Sequence, residues 1–289
     1  MTASINLAFT TGASQGSTLL YTLTQSGDWT YNVGPGGNDM GADGANPYNA
    51  CVDPAGAQAL AIGIYSDFPN HTTWSWIAGT TTNNGSPLGY PCLNYGYGEP
   101  GWFPEQYPPT PYHPQDSGLA NVTLTFNISA NMSQVDGIDW LIETWGVNTA
   151  TPTGPFNGST YAYGILAHEI GFYPYMYAGL QSYLQGGTHN FDATLSDGMN
   201  IRCYTVGGGT PAPFVVCFPV TSPGGNTAVN MLDGNTHTVR LGEILGLMEA
   251  HGAITSAEWI TGYSCGPEVY AGTGSAVCSV YKWNAWPFT

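Results

Sequence analysis

The sequence predicts an all-β protein, a sandwich or barrel of many short strands with one short helix. Forty Gly and 21 Pro, with abundant Ser, Thr and Asn, divide the chain at turn-like intervals. Between them lie runs rich in Val, Ile, Tyr, Trp and Thr, residues that suit a pleated surface. Several runs alternate with period two, as Leu124, Phe126 and Ile128 do against Thr125 and Asn127, which fits a sheet with one face covered.

Strands are predicted at 4–9, 17–25, 59–65 and 73–78, then at 120–128 and 137–145, each a β-branched or aromatic run bounded by turn residues. A long aromatic run at 161–177, broken by Gly and Pro, follows. The remaining strands are expected at 200–206, 214–218, 236–241, 257–263 and 276–283. Segment 242–251 departs from this pattern, since Ile244, Leu245, Leu247 and Met248 share one face at helical spacing. It reads as a helix packed under the sandwich, with Glu243 and Glu249 on its solvated face. The stretch 98–118 holds six Pro and cannot supply a regular hydrogen-bond ladder, so it is expected to be an ordered surface excursion.

At 289 residues the chain is within range for one β-domain, and nothing in it resembles a linker, so residues 1–289 are read as a single domain. The net charge of −16 comes from a shortage of bases, Arg202, Arg240 and Lys282 against 19 acids. Such a chain lacks the basic face that nucleic-acid binding requires. In strong acid it would carry only about +10, which limits the self-repulsion that drives acid unfolding and points to work at low pH. No apolar run approaches the roughly 18 residues of a membrane span, and no signal peptide is visible at the amino terminus.

Six cysteines stand without any Cys-x-x-Cys pair, so disulfides are expected ahead of a zinc site. Cys203 with Cys217 and Cys265 with Cys278 are close enough to staple hairpins, which leaves Cys51 with Cys92, one of fifteen possible pairings. Sequons at Asn70, Asn84, Asn121, Asn127, Asn131 and Asn157 agree with an exported, glycosylated protein.

The chemistry is expected to be that of carboxylates. Glu169 is the one acid in the aromatic run 161–177 of a chain with eight Glu, and an acid in apolar strand sequence points to a cleft. His168-Glu169 does not begin a zinc motif, because Phe172 stands where the second His would be, and His168 reads as structural. A serine nucleophile elbow and a phosphate-binding Gly loop are both absent. Two acids flanking a glycosidic bond are the minimal apparatus of a glycosidase, and Glu268, in a Gly-Pro-Glu-Val-Tyr segment read as a turn, is the second candidate.

Four blocks in this order resemble glycoside hydrolase family 12, the β-jelly-roll endoglucanases and xyloglucanases. Asn46-Pro47-Tyr48-Asn49 is similar to an early Asn-x-Trp segment, and the stretch from Gly89 to Gly96 to a Tyr-Pro…Tyr-Gly block. Ile142-Glu143-Thr144-Trp145 resembles the strand preceding the nucleophile, and Glu169-Ile170-Gly171-Phe172-Tyr173 the nucleophile strand. Gly266-Pro267-Glu268-Val269-Tyr270 resembles the acid/base segment.

The resemblance implies a jelly roll of two curved antiparallel sheets and a retaining endo-β-1,4-glucanase without metal or organic cofactor. It also implies a secreted monomer whose partner is a β-glucan polysaccharide. Glu169 would be the nucleophile, Glu268 the acid/base, and Glu143 a supporting acid hydrogen-bonded to the nucleophile. Asn46 and Tyr48 would line a subsite on the non-reducing side, with Trp74, Trp76, Tyr95, Trp102 and Tyr173 as further sugar-binding candidates. The family's Met two residues after the nucleophile corresponds to Gly171, which removes a side chain from the cleft floor. Two rivals compete with this reading. A glutamic-type acid peptidase would use Glu143 with a Gln drawn from Gln15, Gln25 or Gln58, and a lectin-like sandwich would bind glucan without cleaving it.

Overall fold

A computed structural model describes residues 4–9, 21–24, 30–33, 60–67, 71–78, 80–85, 93–95, 113–114, 121–148, 166–207 and 212–284. The first six strands are β1 (Ser4–Phe9), β2 (Tyr21–Thr24), β3 (Thr30–Val33), β4 (Leu60–Asp67), β5 (His71–Ala78) and β6 (Leu93–Tyr95). Next come β7 (Thr123–Met132), β8 (Ile138–Val147), β9 (Leu166–Tyr175), the helix α1 (Ala178–Gln185), β10 (Thr188–Thr194), β11 (Asn200–Val206) and β12 (Phe214–Val220). β13 (Asp233–Val239), the helix α2 (Leu241–Ala250), β14 (Trp259–Val269) and β15 (Thr273–Asn284) complete the order. Among the described residues these strands form a six-stranded sheet, β1-β4-β5-β15-β7-β13, and a nine-stranded sheet, β10-β11-β12-β9-β8-β14-β6-β3-β2.

The sheets close on one apolar core. Trp74 and Trp76 of β5 and Leu124 and Phe126 of β7 meet Trp140 and Ile142 of β8 and Ile170 and Phe172 of β9. Trp74 and Trp140 meet edge to face with ring centroids 5.0 Å apart. This packing corrects the assignment of Trp74 and Trp76 to sugar binding: at 0% and 2% exposure they point between the sheets. Alternation along β5 decides it, because the residues beside them, Ser75 and Ile77, are the exposed ones.

α2 forms where the helical spacing predicts, and Leu241, Ile244, Leu245 and Met248 bury one face in the core. Glu243 is more than a solvated charge: it accepts bonds from the Ser196 backbone N–H (2.8 Å), the Ser196 hydroxyl (2.7 Å) and Arg240 Nε (2.7 Å). A second helix, α1, overturns the expectation of a single one. Its eight residues include Gly179 and lack a side-chain N-cap, so local sequence signals it weakly.

The reason for α1 lies in the topology. β12 pairs with β9 in parallel, so not every ladder is antiparallel as expected. β10, β11 and β12 form an antiparallel meander, so β10 runs in the same direction as β9. Parallel strands of one sheet need a crossover connection, commonly a helix, and α1 is that crossover. Leu180 and Leu184 of α1 settle against Tyr204, Val206, Val216 and Phe218 of β11 and β12.

Strand β10 was not predicted because its edge-strand sequence, THNFDAT, has no apolar alternation and buries only Phe191. β3 and β6, of four and three residues, are too short to carry a pattern. Cys203, Cys217, Cys265 and Cys278 are buried free thiols, which corrects both expected staples that can be assessed. Cys203 faces Cys217 across the β11–β12 ladder, whereas Cys265 and Cys278 belong to opposite sheets. Cys265 Sγ instead accepts the Trp140 indole N–H at 3.3 Å, and Cys278 Sγ donates to the Val280 carbonyl at 2.9 Å. Cys51, Cys92, Asn70 and Asn157 lie outside the described residues. Asn84, Asn121 and Asn131 are exposed, while the Asn127 amide donates to the Gly234 carbonyl at 2.6 Å.

Candidate active site

Strand β8 sits near the middle of the nine-stranded sheet, and all ten of its residues are buried. Its alternation sends Ile138, Trp140 and Ile142 to the inter-sheet core and Asp139, Leu141, Glu143 and Trp145 to the opposite, concave face. The flanking ladders then fix the neighbours of each acid. Glu143 stands across from Gly171 on β9 and from Ser264 on β14. Trp145 faces Glu169, and Asp139 faces Glu268. The three acids expected from the sequence, Glu143, Glu169 and Glu268, therefore share one face, together with Asp139.

Glu268 lies on β14 and not in a turn as read from the sequence. The strand continues to Val269, and the turn follows at Gly272, whose φ of 72° needs glycine.

The acids fall into two groups. Glu169 is hydrogen-bonded to Glu143, and a bond between two carboxyl groups requires one proton between them. Glu268 and Asp139 share the Tyr270 hydroxyl, which lies 3.2 Å from Glu268 Oε2 and 2.8 Å from Asp139 Oδ2. A phenol has a single proton to donate, so two carboxyls at hydrogen-bond distance from it imply that one of them is protonated. Tyr173 also bonds Glu268.

Burial sets the ionisation of this cluster. Desolvation first, then the charge of Glu268, raise Glu169 to about 7, against the lowering effect of the Glu143 bond. Glu268 is 8% exposed, and burial raises it above the usual carboxylate range, opposed by its bonds to Asp139, Tyr270 and Tyr173. Asp139, fully buried, is raised strongly by burial and next by the charge of Glu268. Tyr173 and Tyr270 are held above the ordinary phenol value by burial and by the acids around them, so both stay neutral donors.

The surroundings of Glu169 favour its protonated form, whereas the expectation of work at low pH rests on the charge count of the chain. A nucleophile serving at low pH needs a lowered pKa, and the surroundings of Glu169 raise it. The few bases bear on stability in acid, not on the ionisation of the site.

Gly171 does not leave a hole in the cleft floor. A Cβ there would stand 2.8 Å from the Phe214 ring and 2.9 Å from the Leu141 side chain. Phe214, across the parallel ladder from Glu169, thus covers the position. Tyr173 is 3% exposed and meets Phe214 edge to face at 6.2 Å, so it orients Glu268 from beneath and offers little ring face to a sugar.

His168 is structural, as read. Its Nδ1 pairs with Glu258 Oε1 at 2.8 Å, and the same oxygen accepts the Thr255 backbone N–H at 2.7 Å. The His113 ring lies tilted against Trp259 with centroids 3.7 Å apart, and its Nδ1 bonds the Glu258 carbonyl at 2.8 Å. This network braces the strand end one residue before Glu169.

A cavity of about 810 Å³ opens beside Glu268, with Tyr173 and Tyr270 at its base and Tyr177, Tyr183 and Asn83 along its sides. Asn46, Tyr48 and Trp102 lie outside the described residues, and Tyr95 is on β6 with its side chain outside them. Sequence reading missed Asp139 as a site residue, although its period-two relation to Glu143 on one strand was a usable signal. It also missed Tyr270 and Phe214, which only strand pairing brings to the acids.

The glutamic-peptidase reading needs a Gln working with Glu143. Gln181 and Gln185 bond the Asn226 carbonyl and Gln134 bonds Asp136, while Gln15, Gln25 and Gln58 lie outside. No group of three or more His, Cys, Asp or Glu among the described residues is placed to hold a metal. No described helix is long and apolar enough to cross a membrane.

Neither a family model nor a curated protein sequence matches the chain. Solved structures do match its fold. A family 12 xyloglucanase from Bacillus licheniformis in complex with ligand superposes with a TM-score of 0.61 at 12% identity, covering 98% of this chain and 99% of that one. Endoglucanase 3 of family GH12 from Trichoderma harzianum gives a TM-score of 0.57 at 12% identity over 94% and 100%. A thermostable cellulase derived from that of Rhodothermus marinus gives 0.57 at 14% over 98% and 99%. The chain therefore has the β-jelly-roll sandwich fold seen in these enzymes.

Proposed function

We propose that the protein is a glycoside hydrolase of the family 12 type, a retaining endo-β-1,4-glucanase acting on cellulose-like β-glucans. One observation carries the reading: Glu169 and Glu268 share the concave face of a jelly roll, each with its own proton-sharing partners. The family resemblance and the enzymes that share the fold add support from outside the site.

In this mechanism Glu268 gives its proton to the glycosidic oxygen while the Glu169 carboxylate attacks the anomeric carbon and the leaving chain departs. Glu268 then takes a proton from water, which breaks the glycosyl–Glu169 bond and returns both groups to their starting states. The raised acidity range of Glu268 suits a proton donor near neutrality, and Asp139 and Tyr270 hold it in place. Glu143 directs a hydrogen bond at Glu169 and counters part of the effect of burial. With Glu169 raised to about 7, activity should fall as pH drops below neutrality, because the attacking carboxylate becomes protonated. We read residues 1–289 as one monomeric, exported domain, since an insoluble or polymeric glucan is met outside the cell.

The test is reducing-sugar release from carboxymethylcellulose, mixed β-glucan and xyloglucan across pH 3–8. The wild type should hydrolyse at least one of them, and Glu169→Gln should lose roughly a thousandfold or more in kcat, as expected when a covalent nucleophile is removed. Undiminished hydrolysis by Glu169→Gln would reject the assignment.

A further inference from the structure

Four carboxyl groups share the concave face, and no Lys, Arg or His among the described residues acts on Asp139, Glu169 or Glu268. The groups around Asp139 are acids and phenols. Glu268 and Tyr270 face it from β14, Tyr173 and Tyr175 lie within its electrostatic reach on β9, and Tyr177 does so just before α1. Glu143 stands four residues further along β8, and Asp136 in the turn before that strand. A buried face without a base to offset its charge keeps most of its acids protonated, because each further ionised carboxyl adds desolvation and like-charge repulsion.

The reaction needs Glu169 ionised and Glu268 able to give a proton, and the Glu143–Glu169 bond already contains one. Asp139 is the remaining acid. It is 0% exposed against 8% for Glu268, so ionisation costs it more. Its Oδ2 accepts the Tyr270 hydroxyl at 2.8 Å, but its buried Oδ1 accepts from no N–H or O–H. A carboxylate oxygen without a donor is costly in a dry site, whereas the same oxygen carrying a proton is itself a donor. The acceptor at hand is Glu268, paired with Asp139 across the β8–β14 ladder and hydrogen-bonded to it. At that distance the two carboxyls stand closer than the about 5–5.5 Å that a sugar between nucleophile and acid requires, so Asp139 is a partner of Glu268 and not its opposite number.

We propose that Asp139 is a positioning residue that stays protonated throughout turnover and donates a hydrogen bond to Glu268. The role of Glu268 in this statement rests on the hydrolase reading above. Burial alone makes Glu268 a weak acid, and the donors around it, Asp139, Tyr270 and Tyr173, stabilise the carboxylate left when its proton has gone to the substrate. A neutral Asp139 does this without setting a like charge beside that carboxylate.

The experiment compares the full chain with Asp139→Asn, which keeps a donor of the same shape, and Asp139→Leu, which has none. On a soluble β-glucan, Asp139→Asn should keep kcat/KM within about threefold and leave the alkaline limb of the pH profile in place. Asp139→Leu should lose roughly 10- to 100-fold, the range of a lost hydrogen bond to a charged group, and its alkaline limb should move up by about one pH unit or more. The infrared difference spectrum between wild type and Asp139→Asn at pH 7 should show the loss of a protonated-acid C=O band and not of a carboxylate band. A downward shift of the alkaline limb in Asp139→Asn, or loss of a carboxylate band, would show Asp139 to be ionised and overturn the proposal. Loss of turnover at every pH in an Asp139→Asn chain that melts at the wild-type temperature would overturn it too, and would place Asp139 in the bond-making step. If Asp139→Leu does not fold, the Asn profile and the infrared band decide. A wild type that cleaves no glucan would reject the hydrolase reading, while the infrared band still decides whether Asp139 holds a proton.

Discussion

Replacing Glu169 by Gln should make the protein more stable, and only where the carboxyl would be ionised. In the fold this carboxyl is raised to about 7 from an ordinary 4.5, first by burial and next by the charge of Glu268. A carboxyl raised in the folded state contributes its full stabilisation below the unfolded value, and loses it as pH climbs through the folded value. The shift corresponds to about 3 kcal/mol at most, and partial exposure of Glu169 reduces it to roughly 1–3 kcal/mol. Gln cannot ionise, and any packing cost it brings is the same at every pH. The stability difference between variant and wild type should therefore grow by roughly 1–3 kcal/mol from pH 4 to pH 8. Reversible urea unfolding, followed through the fluorescence of the nine Trp at pH 4, 6 and 8, measures it. The same gain should appear as several degrees in Tm. Parallel stability curves, or a difference that shrinks as pH rises, would refute the burial argument for Glu169.

Other perturbations test the surrounding structure. The acid limb of the kcat/KM profile should lie above pH 4.5, near the raised value of Glu169, and an optimum below pH 4 would contradict it. Tyr270→Phe removes a bond that lowers Glu268, so the alkaline limb should move upward, and the loss of the partner of buried Asp139 should cost about 1–3 kcal/mol in a denaturation curve. Gly146→Ala would place a Cβ 2.0 Å from Glu258 Oε2, so it should break the buried His168–Glu258 pair and cost on the order of 3 kcal/mol; an unchanged Tm would disprove that packing. Gly171→Ala should destabilise by about 1–3 kcal/mol through contact with Phe214, and Phe214→Leu in the same chain should recover part of it, as a double-mutant cycle would show.

What the sequence revealed depended on how local the cause was. Strands with apolar alternation, such as β7 and β8, and the helix α2, whose buried residues repeat at helical spacing, follow from side-chain period alone. α1 does not, because a weak eight-residue helix is imposed by the parallel pairing of β9 and β12, a decision made between distant strands. The same contrast holds at the site. Glu169 stood out as an acid in an aromatic run, but its neighbours Glu143, Phe214 and Tyr173 came together through ladder register. Trp74 and Trp76 show the reverse error: as aromatics on a strand they fit sugar stacking, and only the pleat decides that they face the core. The low-pH reading draws on a different property of the chain. Composition counts charges, whereas the ionisation of Glu169 depends on the solvent and the neighbouring charge it meets after folding.

The central claim, double displacement through Glu169, can be read from the anomer first formed. Proton NMR of a soluble cello-oligosaccharide during hydrolysis should show the β-anomer of the new reducing end appearing first, with the α-anomer rising later by mutarotation, and Glu169→Gln should produce neither. Initial appearance of the α-anomer, or β-anomer formation by the Glu169→Gln chain at the wild-type rate, would contradict the account.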